Sequence, residues 1–156
     1  FVDDKKWIRE IHQGNNEPLG QIAEKYYDKG YNCAESIVHA GNEMYHLGLS
    51  EHDMRMTAAF GAGLQVGDVC GVITGASCIL SCLFVETKAH ESEKIRPAIM
   101  KMVREMQKEY GGRICAQIKP RYFDKEIRCK NTVIAGAKVL EQVIEELSAE
   151  KEYISQ

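Results

Sequence analysis

The spacing of apolar residues is the feature that most narrows what this chain can become. Apolar side chains recur at intervals of three and four, the period of a helix face, and no run alternates apolar and polar between turn residues as a half-buried strand would. Cys129, Val133, Gly136, Leu140, Val143 and Leu147 form one such stripe along a long C-terminal helix, which places Cys129 at the inner end of a buried face. Ile95, Ile99, Met102, Val103, Met106 and Tyr110 form another, with a charged outer face and Gly111-Gly112 to end it. The expected fold is all-α, a compact multi-helix bundle around a central hydrophobic helix.

Upstream, punctuation residues divide the chain into further helices. Asn16 as cap, Pro18 in the first turn and apolar Leu19, Ile22, Ala23 and Tyr26 predict a helix from about Glu17 to Lys29, ended by Gly30. Asn32 with Glu35 three residues on is a capping box, and Cys33, Ile37, Ala40, Gly41 and Met44 follow as a core stripe. Ser50 and Asp53 start a shorter helix that carries Met54, Thr57 and Ala58 inward until the glycines after Phe60 break it. From Asp68, read as a cap, to about Phe84 the chain is apolar nearly all round, the mark of an element enclosed by others. Residues 1–16, with Trp7, Ile8 and Ile11, are expected to form an N-terminal arm or short helix packed on the body or on a second subunit. Cys115 lies in a segment that periodicity does not type.

At 156 residues with 44% hydrophobic content, the chain suits one domain spanning 1–156 with a core of its own. Its net charge of −3 arises from 20 basic and 23 acidic residues that are interspersed, so no electrostatic footprint for nucleic acid or an anionic membrane surface is present. The longest apolar stretch, Val66 to Val85, is broken by Asp68, glycines and hydroxyl residues and lacks basic flanks, so membrane insertion is not expected. The first residue is Phe1 rather than methionine, so the start is expected to have been lost, and a targeting segment could have gone with it. Six cysteines in a chain with enough helical periodicity to fold unaided favour redox or metal chemistry over structural disulfides, and hence a reducing compartment, the cytoplasm.

Cys33, Cys70, Cys115 and Cys129 are spread over most of the chain, and folding would have to assemble them, because no paired CxxC knuckle is present. Binding a metal or attacking a disulfide needs a thiolate, and the amides and dipole at a helix N-terminus favour one; Cys33 and Cys70 both occupy that position. Cys70-Gly71-Val72-Ile73-Thr74-Gly75 follows the loop Gly61-Ala62-Gly63-Leu64-Gln65-Val66-Gly67-Asp68. Glycines here, Gly71 and Gly75 among them, let backbone approach sulfur and aim amides at an anionic cofactor. Four thiolates without a histidine match two-iron and four-iron clusters and also zinc.

The order of a lone Cys33, CGxxxG at 70–75, then single Cys115 and Cys129 resembles the redox-active proteins of the C_GCAxxG_C_C family, over nearly all of the chain downstream of about Leu19. Four cysteines and two glycines in fixed order make the motif specific. Val72 stands where the usual CGAxxG has alanine, a change that bears on helix packing more than on sulfur chemistry. The resemblance implies a redox role and so favours iron over zinc, which does not cycle electrons. The non-haem part of split-Soret cytochromes carries a similar cysteine pattern, but this chain has no CxxCH for covalent haem attachment. The expectation is an iron–sulfur protein for electron transfer or redox sensing, more an electron-transfer protein than a stand-alone enzyme, working with a redox partner protein and forming a homodimer. Two alternatives stand beside it: a thiol/disulfide protein using the same cysteines without metal, and a non-catalytic helical interaction module.

Cys78 and Cys82 share one face of the central helix and read as core filler, with a second dithiol as the sharper option. His39 and His46 lie off the Cys33 stripe and read as solvated. Met44, Met54, Met56, Met100, Met102 and Met106 read as core packing, and Lys119, Arg121, Lys125 and Arg128 as a solvated charged face near the last two cysteines. No Ser/His/Asp order, phosphate loop or carboxylate pair supports a hydrolase or kinase.

Overall fold

The computed structural model describes residues 17–154, with side chains up to Ala149; the expected N-terminal arm and the Asn16 cap lie outside the described residues. Among the described residues there are seven α-helices: α1 (Leu19–Asp28), α2 (Cys33–Tyr45), α3 (Glu51–Arg55), α4 (Gly71–Phe84), α5 (Ile95–Tyr110), α6 (Cys115–Tyr122) and α7 (Lys130–Ile154). Among the described residues there is no strand, and β-pairing is limited to two isolated antiparallel bridges, Val69 with Ile114 and Asp124 with Arg128. The fold is an all-α bundle.

Local chemistry accounts for several helix ends. Asn32 and Glu35 form the capping box that starts α2, and Ser50 and Asp53 form another at α3. Gly30 and Gly111 take positive φ of 104° and 73° beyond α1 and α5, a conformation that glycine adopts without strain. Two starts differ from expectation. Helix α1 begins at Leu19 rather than Glu17, with Pro18 as the cap residue; Pro18 has no N–H to lose, and its carbonyl accepts from Gln21 and Ile22 at 3.0 and 3.3 Å. Helix α4 begins at Gly71 with Cys70, not Asp68, as its cap. The bridge is the reason: Cys70 N–H donates to the Arg113 carbonyl at 2.9 Å and Cys115 N–H to that of Asp68 at 2.6 Å, which engages 68–70 in pairing until the helix can begin.

The core is a continuous cluster in which α4 packs on α2, α5 and α7, while α7 also meets α1 and α6. Leu19, Ile37, Ile79, Leu80, Met102, Leu140 and Ile144 are fully buried at its centre. Gly75 lets α4 approach α2 closely, since a Cβ there would sit 2.9 Å from the Ala34 carbonyl oxygen. Helix α4 is less enclosed than its composition implies. Thr74, Ser77, Cys78 and Cys82 are half-buried and Ser81 is exposed along one open side. The hydroxyls of Thr74 and Ser77 bond back to the carbonyls of Gly71 and Ile73, so a polar face there costs little and hydropathy alone does not reveal it. No helix among the described residues is long and apolar enough to cross a membrane.

Two further expectations are corrected. Met54, Met102 and Met106 are core residues and Met44 is half-buried, but Met56 and Met100 are 70% and 52% exposed; Met56 follows the end of α3, and Met100 precedes Met102 by two residues and so faces away from it. His39 is not solvated. It is 5% exposed and stacks on the rings of Tyr26 and Tyr31, with centroids 4.9 and 4.2 Å away, because the tyrosine-bearing end of α1 folds back over α2. Burial pushes its pKa down. His46 is exposed and ends α2 in a left-handed conformation.

Candidate functional site

All four cysteines of the motif stand at helix starts. Cys33 and Cys115 are the first residues of α2 and α6, and Cys70 and Cys129 immediately precede α4 and α7. The Cys70 carbonyl accepts from Ile73 and Thr74, and that of Cys129 from Val133 at 3.0 Å, as cap residues do. Cys129, read as the inner end of the last helix's buried stripe, is half-buried and immediately precedes that helix, and Cys115, which periodicity does not type, likewise stands at a helix start. Four helix N-termini with their free amides thus converge where the sequence identified two.

Backbone contacts bring these starts together. The Val69–Ile114 bridge ties Cys70 to Cys115. A Cβ on Gly71 would overlap Cys33 Sγ, so the backbone at the start of α4 rests on that sulfur. Gly75, one turn on, faces Ala34 and Ile37 and serves helix packing. Ala62, Gly63, Leu64 and Gln65 form a left-handed turn with φ of 52°, 62°, 59° and 64°, and a Cβ on Gly63 would meet Cys115 Cβ at 2.8 Å. The glycine-rich loop therefore cups the sulfur region, and it exposes Leu64 and Val66 on its outer side. Cys129 is anchored from α1, its N–H donating to the Tyr27 hydroxyl at 2.9 Å.

Burial dominates the electrostatics. It pushes the thiols of Cys33 and Cys129 up, and that of Cys70 up to about 12. Backbone N–H groups of Ala62 and Ala34 on the Cys33 sulfur, and of Val72 and Ile73 on that of Cys70, act in the opposite direction and are outweighed. Helix N-termini alone thus do not poise these thiolates: a dipole contributes about 0.3–1 kcal/mol, whereas full desolvation shifts a pKa by up to about 3–5 units. The thiols also act on one another. Charge on Cys115 raises Cys33; charge on Cys33 and Cys115 raises both Cys70 and Cys129. Five pairs among the four cysteines are coupled in this way, while Lys119 and Arg128 pull Cys129 down.

A cavity of about 310 Å³ opens beside Cys33 and Cys129, walled by Tyr27, Tyr31 and Phe123 and bearing Lys119 and Arg128. Sequence reasoning assigned no site role to the three aromatics, and nothing in their spacing distinguishes them from core or surface residues. It placed Lys119 and Arg128 on a solvated face; both are exposed, and both also line this cavity. Cys78 and Cys82 remain apart on the open side of α4, free and half-buried.

The donor set is four thiols, two of them receiving backbone N–H groups, with glycine backbone against the Cys33 sulfur; these are features that stabilise anionic sulfur. Among the described residues, no three His, Cys, Asp or Glu side chains are gathered closely enough to hold one metal ion. Four thiols are a ligand set that iron–sulfur clusters and zinc share.

No curated protein and no solved structure matches the chain. A family model described as "Putative redox-active protein (C_GCAxxG_C_C)" matches residues 31–143, a span that holds all four cysteines, Gly71 and Gly75. With well over half of its length matched and its cysteines drawn to one region, the chain belongs to the C_GCAxxG_C_C family of redox-active proteins.

Proposed function

We propose that this protein binds an iron–sulfur cluster through Cys33, Cys70, Cys115 and Cys129 and serves in electron transfer or redox sensing. The observation that carries the proposal is that four distant cysteines, each at a helix start, interact electrostatically in five of their six pairs beside glycine backbone. A bound cluster would supply one-electron chemistry at a potential tuned by its surroundings. The chain's own part is to desolvate the site, to aim the amides of Ala34, Ala62, Val72 and Ile73 at sulfur, and to place Lys119 and Arg128 beside Cys129. Disulfide exchange without metal needs a thiolate at ambient pH, which the burial of Cys33, Cys70 and Cys129 opposes. Six free cysteines also fit a reducing compartment such as the cytoplasm.

Anaerobic purification tests the proposal. Bound iron and acid-labile sulfide, broad visible absorption, and loss of both on changing any one of the four cysteines to serine are expected. Colourless, iron-free protein that takes up no cluster on reconstitution, with thiols that form disulfides reversibly, would instead establish the thiol/disulfide alternative.

A further inference from the structure

We infer that the cavity beside Cys33 and Cys129 is a binding site for a small organic anion with a flat, apolar body. Its volume of about 310 Å³ falls in the range of small-molecule sites, roughly 300–1,000 Å³. Tyr27, Tyr31 and Phe123 supply aromatic walls, and the charged residues that line it are both cations, Lys119 and Arg128. Neither cation forms a salt bridge among the described residues, and Lys119 Nζ rests 5.6 Å from the centre of the Phe123 ring. Asp124, the acid paired by backbone with Arg128, turns its carboxylate onto its own turn, accepting from the N–H groups of Glu126 and Ile127 at 2.7 and 3.1 Å. No carboxylate lines the cavity to cancel that positive charge.

Arg128 is held at φ 58°, which residues with a side chain rarely adopt, by paired backbone bonds with Asp124. That turn sets the directions of Arg128 and of Cys129 together. An aromatic carboxylate of one or two rings meets all of these features: its face lies on the tyrosine and phenylalanine walls, its charge meets the two cations, and its body rests beside the two sulfurs. The purpose of such a ligand next to sulfur rests on the redox role proposed above; the binding itself rests on the cavity.

Isothermal titration of the full chain with naphthalene-2-carboxylate and with the uncharged naphthalene-2-carboxamide, with and without anaerobic iron loading, separates the two ideas. The expected result is one saturable site that prefers the carboxylate by about tenfold or more, as charge-assisted hydrogen bonds provide, with the preference shrinking as salt is added. Lys119→Gln with Arg128→Gln should remove the preference, and Lys88→Gln should leave it intact. Equal affinity for the two compounds, no saturable binding at millimolar ligand, or a preference insensitive to salt overturns the inference; the salt series on the unaltered protein decides the matter even if the double variant fails to fold. Anion binding by protein that takes up no iron sinks the cluster alone, and a cluster without anion binding sinks the ligand site alone.

Discussion

Replacing Gly71 by alanine probes the contact on which the sulfur region depends. The new Cβ would overlap Cys33 Sγ and lie 3.1 Å from the Phe60 carbonyl oxygen and 3.3 Å from the Ala34 nitrogen. Cys33 Sγ can move away only by rotating about χ1, which surrenders the N–H groups of Ala62 and Ala34; the two backbone atoms have no such freedom. Overpacking of this kind costs about 1–3 kcal/mol, and the preference of a helix for alanine returns at most about 1 kcal/mol. The expected net loss is about 1–2 kcal/mol, or a melting temperature lower by roughly 2–8 °C. Gly20→Ala is the matched control. Gly20 also lies near a helix start, but its nearest neighbours would be 3.5 Å or more from an added Cβ, so the change should be neutral or stabilise by up to about 1 kcal/mol. Urea unfolding of both variants, followed by circular dichroism, reads the difference directly. If Gly71→Ala proves as stable as the unaltered protein, or moves in the same direction as Gly20→Ala, backbone is not pressed against sulfur here.

Three other outcomes follow from the same structure. Burial raises the thiol pKa values of Cys33, Cys70 and Cys129, so the folded state favours neutral sulfur; the associated stability is complete below the unfolded thiol pKa of about 8.5 and is lost as pH rises toward the folded value of about 12 for Cys70. Buried Tyr45 and Tyr110 act in the same direction, so the metal-free protein should melt at steadily lower temperature above about pH 9, and a flat profile would contradict the burial of these groups. Asn32→Ala removes both the capping box of α2 and the bond from Asn32 Nδ2 to the Ala58 carbonyl, and calorimetry should register a loss of about 1–2 kcal/mol. Cys78→Ser with Cys82→Ser should leave iron content and visible spectrum unchanged, because these residues sit on the open side of α4; loss of iron would make them ligands.

How much of this was legible in the sequence depended on whether the cause was local. The capping boxes at Asn32 and Ser50, the stops at Gly30 and Gly111, and the buried stripes of α5 and α7 all follow from interactions a few residues apart. The start of α4 did not, since a bridge to Ile114, more than forty residues away, keeps the helix from beginning at Asp68. His39 likewise read as solvated because nothing nearby shows that Tyr26 and Tyr31 close over it.

The candidate site divides along the same line. Residue order alone established that four single cysteines and a glycine-spaced CGxxxG segment are present, that the chain is helical, and which family it belongs to, because helix period, capping and motif order are properties of the chain itself. Tertiary structure decided that all four cysteines begin helices, that the Gly71 backbone rests on the Cys33 sulfur, that burial outweighs the helix dipoles, and that two cations and three aromatics enclose a cavity beside two of the sulfurs. Those outcomes arise from contacts between segments far apart in sequence, whose relative placement is set by the packing of α1, α2, α4 and α7 and leaves no periodic trace in any one of them.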